Sequence, residues 1–317
     1  MQYRPRNRRR SRRRVRWGRL IAVLAGLAVA GFGLVKLIGY GVDWMASRQT
    51  AQELRAVYYA EITPAPIAAT AAPTEAPTSA PAPSAAPTSA PIPTQSPIPR
   101  LPAAGYPNNP KAEISGRFRH LRKESKYIVG WLTINRLLDE PVVQRDNVYF
   151  LDHDAKGKEN VNGAIFLDAG IPLKSRPYPY ILYGHNMKSG AMFGNLRKYE
   201  EFSYCYQHRV FQFDTLYEEG QYAIFAVETI SLTPGKGKYV NLIDLESTDR
   251  ETRRNALQAL ENHSLHNAML DVNEEDQILL LVTCTGDDDE RLIVAARRLR
   301  DGEREDHLTM KTGKSMQ

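Results

Sequence analysis

The chain has 317 residues, 42% hydrophobic and 25% charged, with a formal net charge of +6 and two cysteines. Its first 19 residues hold ten arginines and no acid, so everything after them carries about −4, and the excess positive charge belongs to the tail and argues for no nucleic-acid-binding face on the folded part. Two cysteines, Cys205 and Cys284, make no disulfide framework and leave room for a free reactive thiol.

Residues 1–19 form an arginine-rich tail. Residues 20–40, opening on Leu20 and ending on Tyr40, are almost wholly apolar, broken only by Lys36. That is the length needed to span hydrocarbon, and a lysine near one end can snorkel to the interface. The arginines predict a cytoplasmic N-terminus, a single pass and an extracellular C-terminal bulk. Ala28-Val-Ala30 looks like a signal-peptide cleavage site but lies inside the apolar run, so the expectation is an uncleaved anchor.

A juxtamembrane segment, 41–61, leads into a Pro/Ala/Thr-rich linker over 62–111. Residues 62–102 hold 12 of the 20 prolines, and Ala-Pro-Thr-Ser-Ala-Pro occurs at 76–81 and again at 86–91. Such a segment builds no core. In polyproline II form it would extend up to roughly 120 Å, which reads as a spacer between membrane and domain.

Residues 112–310 read as one domain, with a short tail over 311–317. Apolar runs between turn signals predict strands at 127–134, 140–144, 164–167, 180–183, 210–213, 221–227, 277–284 and 291–296, a pattern of antiparallel barrels or sandwiches. A helix is expected over 112–126. A second should follow Thr248-Asp-Arg-Glu251, which has capping-box spacing and leads into the stripe Ala256, Leu257 and Leu260. Cys205, in Tyr204-Cys-Tyr206, reads as a buried packing residue.

The run 277–284 ends on Cys284, and a polar turn containing Gly286 leads to Arg291. Residues flanking a short hairpin loop face each other across the ladder, so a thiol and a permanent cation become neighbours. Arg298 has the wrong parity for this site, and Arg297 lies about 20 Å further along the strand. Of the seven histidines, His185 directly follows an apolar strand end, between the turn residues Gly184 and Asn186. Asp287-Asp-Asp-Glu290 lacks the spacing of a calcium loop, and no His or Cys pair has metal-ligand spacing, so neither a metal nor any other cofactor is expected. Taken alone, each of these residues has a structural reading: a packed strand-end cysteine, a satisfied histidine, a solvated turn.

Together they carry a resemblance. Tyr183-Gly-His-Asn-Met-Lys-Ser-Gly-Ala-Met-Phe-Gly194 resembles the histidine motif of class B sortases, and Thr283-Cys284 with Arg291 seven residues later resembles the cysteine–arginine signature of sortases in general. Val129-Gly-Trp-Leu132, Pro141-Val-Val-Gln144 and Gly163-Ala-Ile-Phe-Leu-Asp168 follow in family order, and the helix before the cysteine strand matches the class B insertion. One departure is Leu280-Leu-Val-Thr-Cys284, where the family's strand threonine is aliphatic.

The resemblance implies a closed antiparallel sortase-like β-barrel of about eight strands, with an N-terminal helix and a helix in the connection before the cysteine strand. It implies a membrane-anchored cysteine transpeptidase of Gram-positive type, with Cys284 as nucleophile, His185 as acid and base, and Arg291 as oxyanion partner. Thr283, Thr285, Asn186, Leu196 and Tyr199 are the weaker oxyanion or substrate candidates. The implied partners are secreted proteins with a C-terminal sorting signal of Asn-Pro-x-Thr type, and a peptidoglycan cross-bridge amine or pilin lysine as acceptor. Two alternatives stay open at this point: a cysteine protease that uses water, and a non-catalytic wall-binding module.

Overall fold

The computed structural model describes residues 17–60, 105–284 and 289–312. Most of the arginine-rich tail, the proline-rich stretch 61–104, Thr285 and the acidic-turn residues Asp287 and Asp288 lie outside the described residues. The chain divides into two units, Met1–Met45 and Ala46–Gln317. Helix α1 (Trp17–Ala60) runs through the boundary, and it includes a stretch long and apolar enough to cross a membrane. In the first unit its large apolar side chains, Leu27, Phe32 and Leu37 among them, are exposed.

In the second unit the elements follow as α2 (Gly116–Glu124), β1 (Ile128–Ile134), β2 (Leu138–Val143), β3 (Ile165–Leu167), β4 (Pro179–Tyr183), α3 (Phe202–Gln207), β5 (Val210–Thr215) and β6 (Gln221–Ser231). Then come α4 (Arg250–His263), β7 (His266–Asn267), β8 (Ile278–Cys284), β9 (Glu290–Arg298) and β10 (Lys311–Thr312). Eight strands close a barrel in the order β1-β2-β3-β4-β8-β9-β6-β5, and β7 pairs with β10 apart from it. Each of the eight expected strands is present.

The barrel is mixed rather than antiparallel. β2 runs parallel to β3 and β4 parallel to β8, while the other six ladders are antiparallel. Parallel neighbours need a crossover instead of a hairpin. The excursion between β2 and β3 and the long path from β4 to β8 supply them. β8 is a continuous apolar run because it is buried on both faces, with Ile278 through Leu281 at 0% exposure.

Two helices differ from expectation. α2 is shorter, because Ala112 has φ 48° and Ser115 caps the helix by accepting from the Phe118 amide. α4 is capped by Asp249 rather than Thr248, since that carboxylate accepts from both the Thr252 amide at 2.9 Å and its hydroxyl at 2.6 Å. Cys205 lies in α3, not in a strand, and is buried as expected.

The last turns of α1 pack on the barrel. Ser47, Ala51, Leu54 and Tyr58 form a buried stripe at helical spacing. The Tyr58 ring stacks on Trp131 with centroids 4.4 Å apart, and the Arg117 guanidinium covers it at 4.6 Å. Its hydroxyl donates to the buried Asp214 carboxylate, to which Arg117 is also paired at 3.3 Å. Burial pushes the Asp214 carboxyl up, against the hydrogen bonds from Tyr58 and Gln212.

One buried carboxyl is poorly served. Glu228 on β6 is 0% exposed, and neither of its oxygens has a hydrogen-bond partner. His263 Nδ1 lies 3.6 Å away, and Lys238 is near enough to oppose the shift, yet burial pushes the carboxyl up to about 8. Its native state therefore keeps a proton that the unfolded chain has released, and stability is expected to fall as pH rises from about 4.5 through 8. Thermal unfolding of the full chain in detergent at pH 5 and pH 8.5 is the check. Glu228→Gln should remove a pH-dependent component on the order of a few kcal/mol and be the more stable protein at the higher pH.

Candidate active site

The barrel topology sets the ends of β4 and β8 and the start of β9 in a row. β4 and β8 are parallel with Tyr183 opposite Val282, and the Gly184 amide extends the contact by donating to Val282 O at 3.3 Å. β4 ends at Tyr183, and the chain passes through Gly184 to His185 at the same end of the barrel at which β8 ends in Cys284. β8 and β9 are antiparallel, with Cys284 opposite Arg291. The Thr283 hydroxyl donates to Gly184 O at 2.7 Å and fastens the end of β8 to the start of the histidine loop.

His185 is held from one side. Its Nε2 lies 2.6 Å from the carbonyl oxygen of Leu151. A carbonyl only accepts, so Nε2 carries the proton and Nδ1 is the basic nitrogen of the neutral ring. Leu151 ends a single 3₁₀ turn, Tyr149–Leu151, in the excursion between β2 and β3. Gly163 closes that excursion at φ 62°, and a Cβ there would stand 2.3 Å from Phe150 O and 2.9 Å from Leu151 O. No other residue fits against that carbonyl.

The histidine loop folds back on itself. The Phe193 amide donates to His185 O at 3.0 Å, Asn186 bridges to Met192, and the buried Phe193 ring packs on Gly184. At Gly194 a Cβ would come within 2.0 Å of Met187 O, which explains the small residue at the loop's close. On the other side, Arg291 Nη1 donates to Glu290 O at 2.8 Å. Burial raises the Tyr183 phenol well beyond its usual range; Asp168 and Glu246 raise it further and Arg291 opposes them. The Tyr183 phenol therefore lies within electrostatic reach of that guanidinium.

The structure separates other sequence candidates from the row. Leu196 and Tyr199 are core residues at 1% and 0% exposure, not walls of an open pocket. They sit in a 3₁₀ turn, Leu196–Glu200, whose apolar side faces inward, and the Tyr199 hydroxyl donates to His208 O. Thr283 is buried and serves the histidine loop, while Asn186 belongs to that loop's own bridge. Cys205 is buried with its thiol pushed up to about 12, far from the thiolate form. Arg297 is 1% exposed and paired with Glu303 at 2.5 Å, a structural role. The residue that sequence reasoning missed is Leu151, because a backbone carbonyl leaves no side-chain signal.

Comparison with known proteins adds to this geometry. The Sortase domain family model matches residues 132–299. Sortase B of Listeria monocytogenes is 33% identical over 183 residues, covering 57% of this chain and 72% of that protein. A crystal structure from Bacillus anthracis described as similar to sortase B superposes with a TM-score of 0.58 at 26% identity, over 81% of this chain and 97% of that one. A Staphylococcus aureus sortase B–substrate complex gives 0.53 at 26% identity, over 61% of this chain and 88% of that one.

The Thr283–Gly184 bond is open to test. Thr283→Val keeps the shape and removes the donor, so urea unfolding should show a loss of about 1 kcal/mol. Loosening the loop that carries His185 should lower turnover by about tenfold, since small misplacements of a reacting group are expensive in rate.

Proposed function

The chain is a class B sortase, a cysteine transpeptidase, and from that premise we propose that it cleaves a C-terminal sorting signal after threonine and transfers the protein to an amine. The observation that supports this reading is Cys284 opposite Arg291 in the β8–β9 register, beside the end of the parallel strand β4 that leads into His185. In the reaction the Cys284 thiolate attacks the threonine carbonyl carbon. The C–N bond breaks as His185, protonated at both nitrogens, gives its Nδ1 proton to the departing amine. Arg291 stabilises the negative oxygen of the tetrahedral intermediate. The incoming amine then attacks the thioacyl carbon, His185 takes its proton, and the thiolate departs. The Leu151 carbonyl accepting from Nε2–H supports the charged imidazolium before the first step and after the last, and holds the neutral ring in its Nε2–H tautomer between them.

The sorting signal is of Asn-Pro-x-Thr type, and the acceptor is a cross-bridge amine of peptidoglycan or a pilin lysine. The apolar stretch of α1 anchors the enzyme in the cell membrane in a single pass, with the N-terminus cytoplasmic and the barrel outside. A substrate paused in the same membrane by its own apolar tail is thereby concentrated at the enzyme.

The test is cleavage of quenched fluorescent peptides by the full chain in detergent. Peptides with Asn-Pro-x-Thr-Asn, Asn-Pro-x-Thr-Gly, Leu-Pro-x-Thr-Gly and scrambled cores are each run with and without an amine. Cleavage after threonine and an amine-linked product are expected, abolished in Cys284→Ala and His185→Ala. Arg291→Ala should lower kcat by about 10²–10³. Products that are hydrolytic whatever amine is supplied would replace transfer by proteolysis.

A further inference from the structure

Two hydroxyls on the barrel-docked end of α1 hold the loop that holds the histidine. Ser47 Oγ donates to Asn160 Oδ1 at 3.0 Å and accepts from Asn162 Nδ2 at 3.0 Å. Asn160 Oδ1 also accepts from the Asn162 amide at 3.0 Å. All three side chains are buried, at 8%, 4% and 3% exposure. One turn on, Thr50 Oγ1 donates to Asp154 Oδ2 at 3.2 Å, and the other carboxylate oxygen accepts from the amides of Lys156 and Lys158. Satisfied buried polar networks of this kind fix one geometry, because any displacement leaves a buried group unpaired.

The path from Ser47 to the imidazole is short. The Asn160 amide donates to Asp152 O at 2.8 Å, and the Gly163 amide donates to Asn160 O at 2.9 Å. Asp152 follows Leu151, and Gly163 is the residue packed against the Leu151 carbonyl. That carbonyl accepts from His185 Nε2. A second contact closes the circuit, for Met192 of the histidine loop shares with Ser47, Thr50, Ala51 and Asp154 the wall of a cavity of about 20 Å³.

We propose that the Ser47–Thr50 turn of α1 is a positioning element for the reaction, and that Ser47 acts through Asn160 and the Leu151 carbonyl to fix the tautomer and orientation of His185. The proposal rests on the reading of His185 as the acid and base. Without a fixed carbonyl at Nε2, the neutral ring loses its preference for the Nε2–H tautomer. The charged ring loses the acceptor that holds its orientation. A third group orienting a catalytic histidine is a general device, and a wrong tautomer is costly even when geometry survives.

Histidine-selective ¹⁵N NMR of the full chain in detergent reads the tautomer without any substrate, with His185 assigned by its loss in His185→Ala. The expected result is a single Nε2–H form in the parent chain and a mixture in Ser47→Ala. In the peptide assay Ser47→Ala should lower kcat about tenfold with KM within twofold. It should also change the pH–rate profile. Ser47→Thr, which keeps the hydroxyl, should restore all three. Tyr58→Phe loosens the same helix at its far end, so it should lower Tm and leave tautomer and kcat unchanged. If Ser47→Ala does not accumulate as folded protein, Thr50→Val carries the same prediction with about a threefold effect. A lowered Tm in Ser47→Ala with parental tautomer, kcat and pH profile would overturn the proposal and leave Ser47 a packing residue. Parental turnover in His185→Ala would instead remove the reading of His185 on which it rests.

Discussion

Everything about this site follows from the parallel register of β4 against β8. Tyr183 lies opposite Val282, so the loop that carries His185 leaves β4 at the same end of the barrel at which β8 ends in Cys284. Side chains alternate with a period of two, and a one-residue slip would turn a strand's whole set to the opposite face. The register is therefore defended from both sides. Apolar residues of β8 are buried on each face, and the Thr283 hydroxyl reaches across to Gly184 O. No hairpin joins β4 to β8 to set their mutual register. The alignment depends on tertiary packing alone.

That dependence explains how much of the barrel's polar wiring converges on loops rather than strands. The excursion between β2 and β3 returns through Gly163 at a positive φ, and it sets its Leu151 carbonyl against His185. The histidine loop returns through Gly194, crowded on Met187 O, and seats Phe193 under Gly184. Both loops are irregular in sequence and tightly specified in space. α1 adds an outer brace, in which Tyr58 sandwiched between Trp131 and Arg117 supplies apolar area and its hydroxyl satisfies Asp214.

What the sequence revealed and what it hid divide along the same physical line. β8 and β9 were legible because double burial demands unbroken apolar runs, and the short hairpin between them made the Cys284–Arg291 pairing readable without coordinates. His185 was legible as a polar residue directly after a strand end. Strand direction was not, because residues 180–183 look the same whether their neighbour runs parallel or antiparallel. Leu196 and Tyr199 misled, since a leucine and a tyrosine in a loop resemble a pocket lining until the 3₁₀ turn points them into the core. The docked stripe of α1 was hidden by composition. Two of its four members, Ser47 and Ala51, are too small or too polar to register as an apolar face. Period alone, at 47, 51, 54 and 58, was the available signal.

The proline-rich stretch begins and ends on one body. It leaves the barrel-bearing unit after Ala60 and rejoins the same unit at Gly105. Closing a chain back on its own fold costs an entropy that grows only slowly with its length. Repeats can therefore be gained or lost there with almost no change in the folding stability of the barrel.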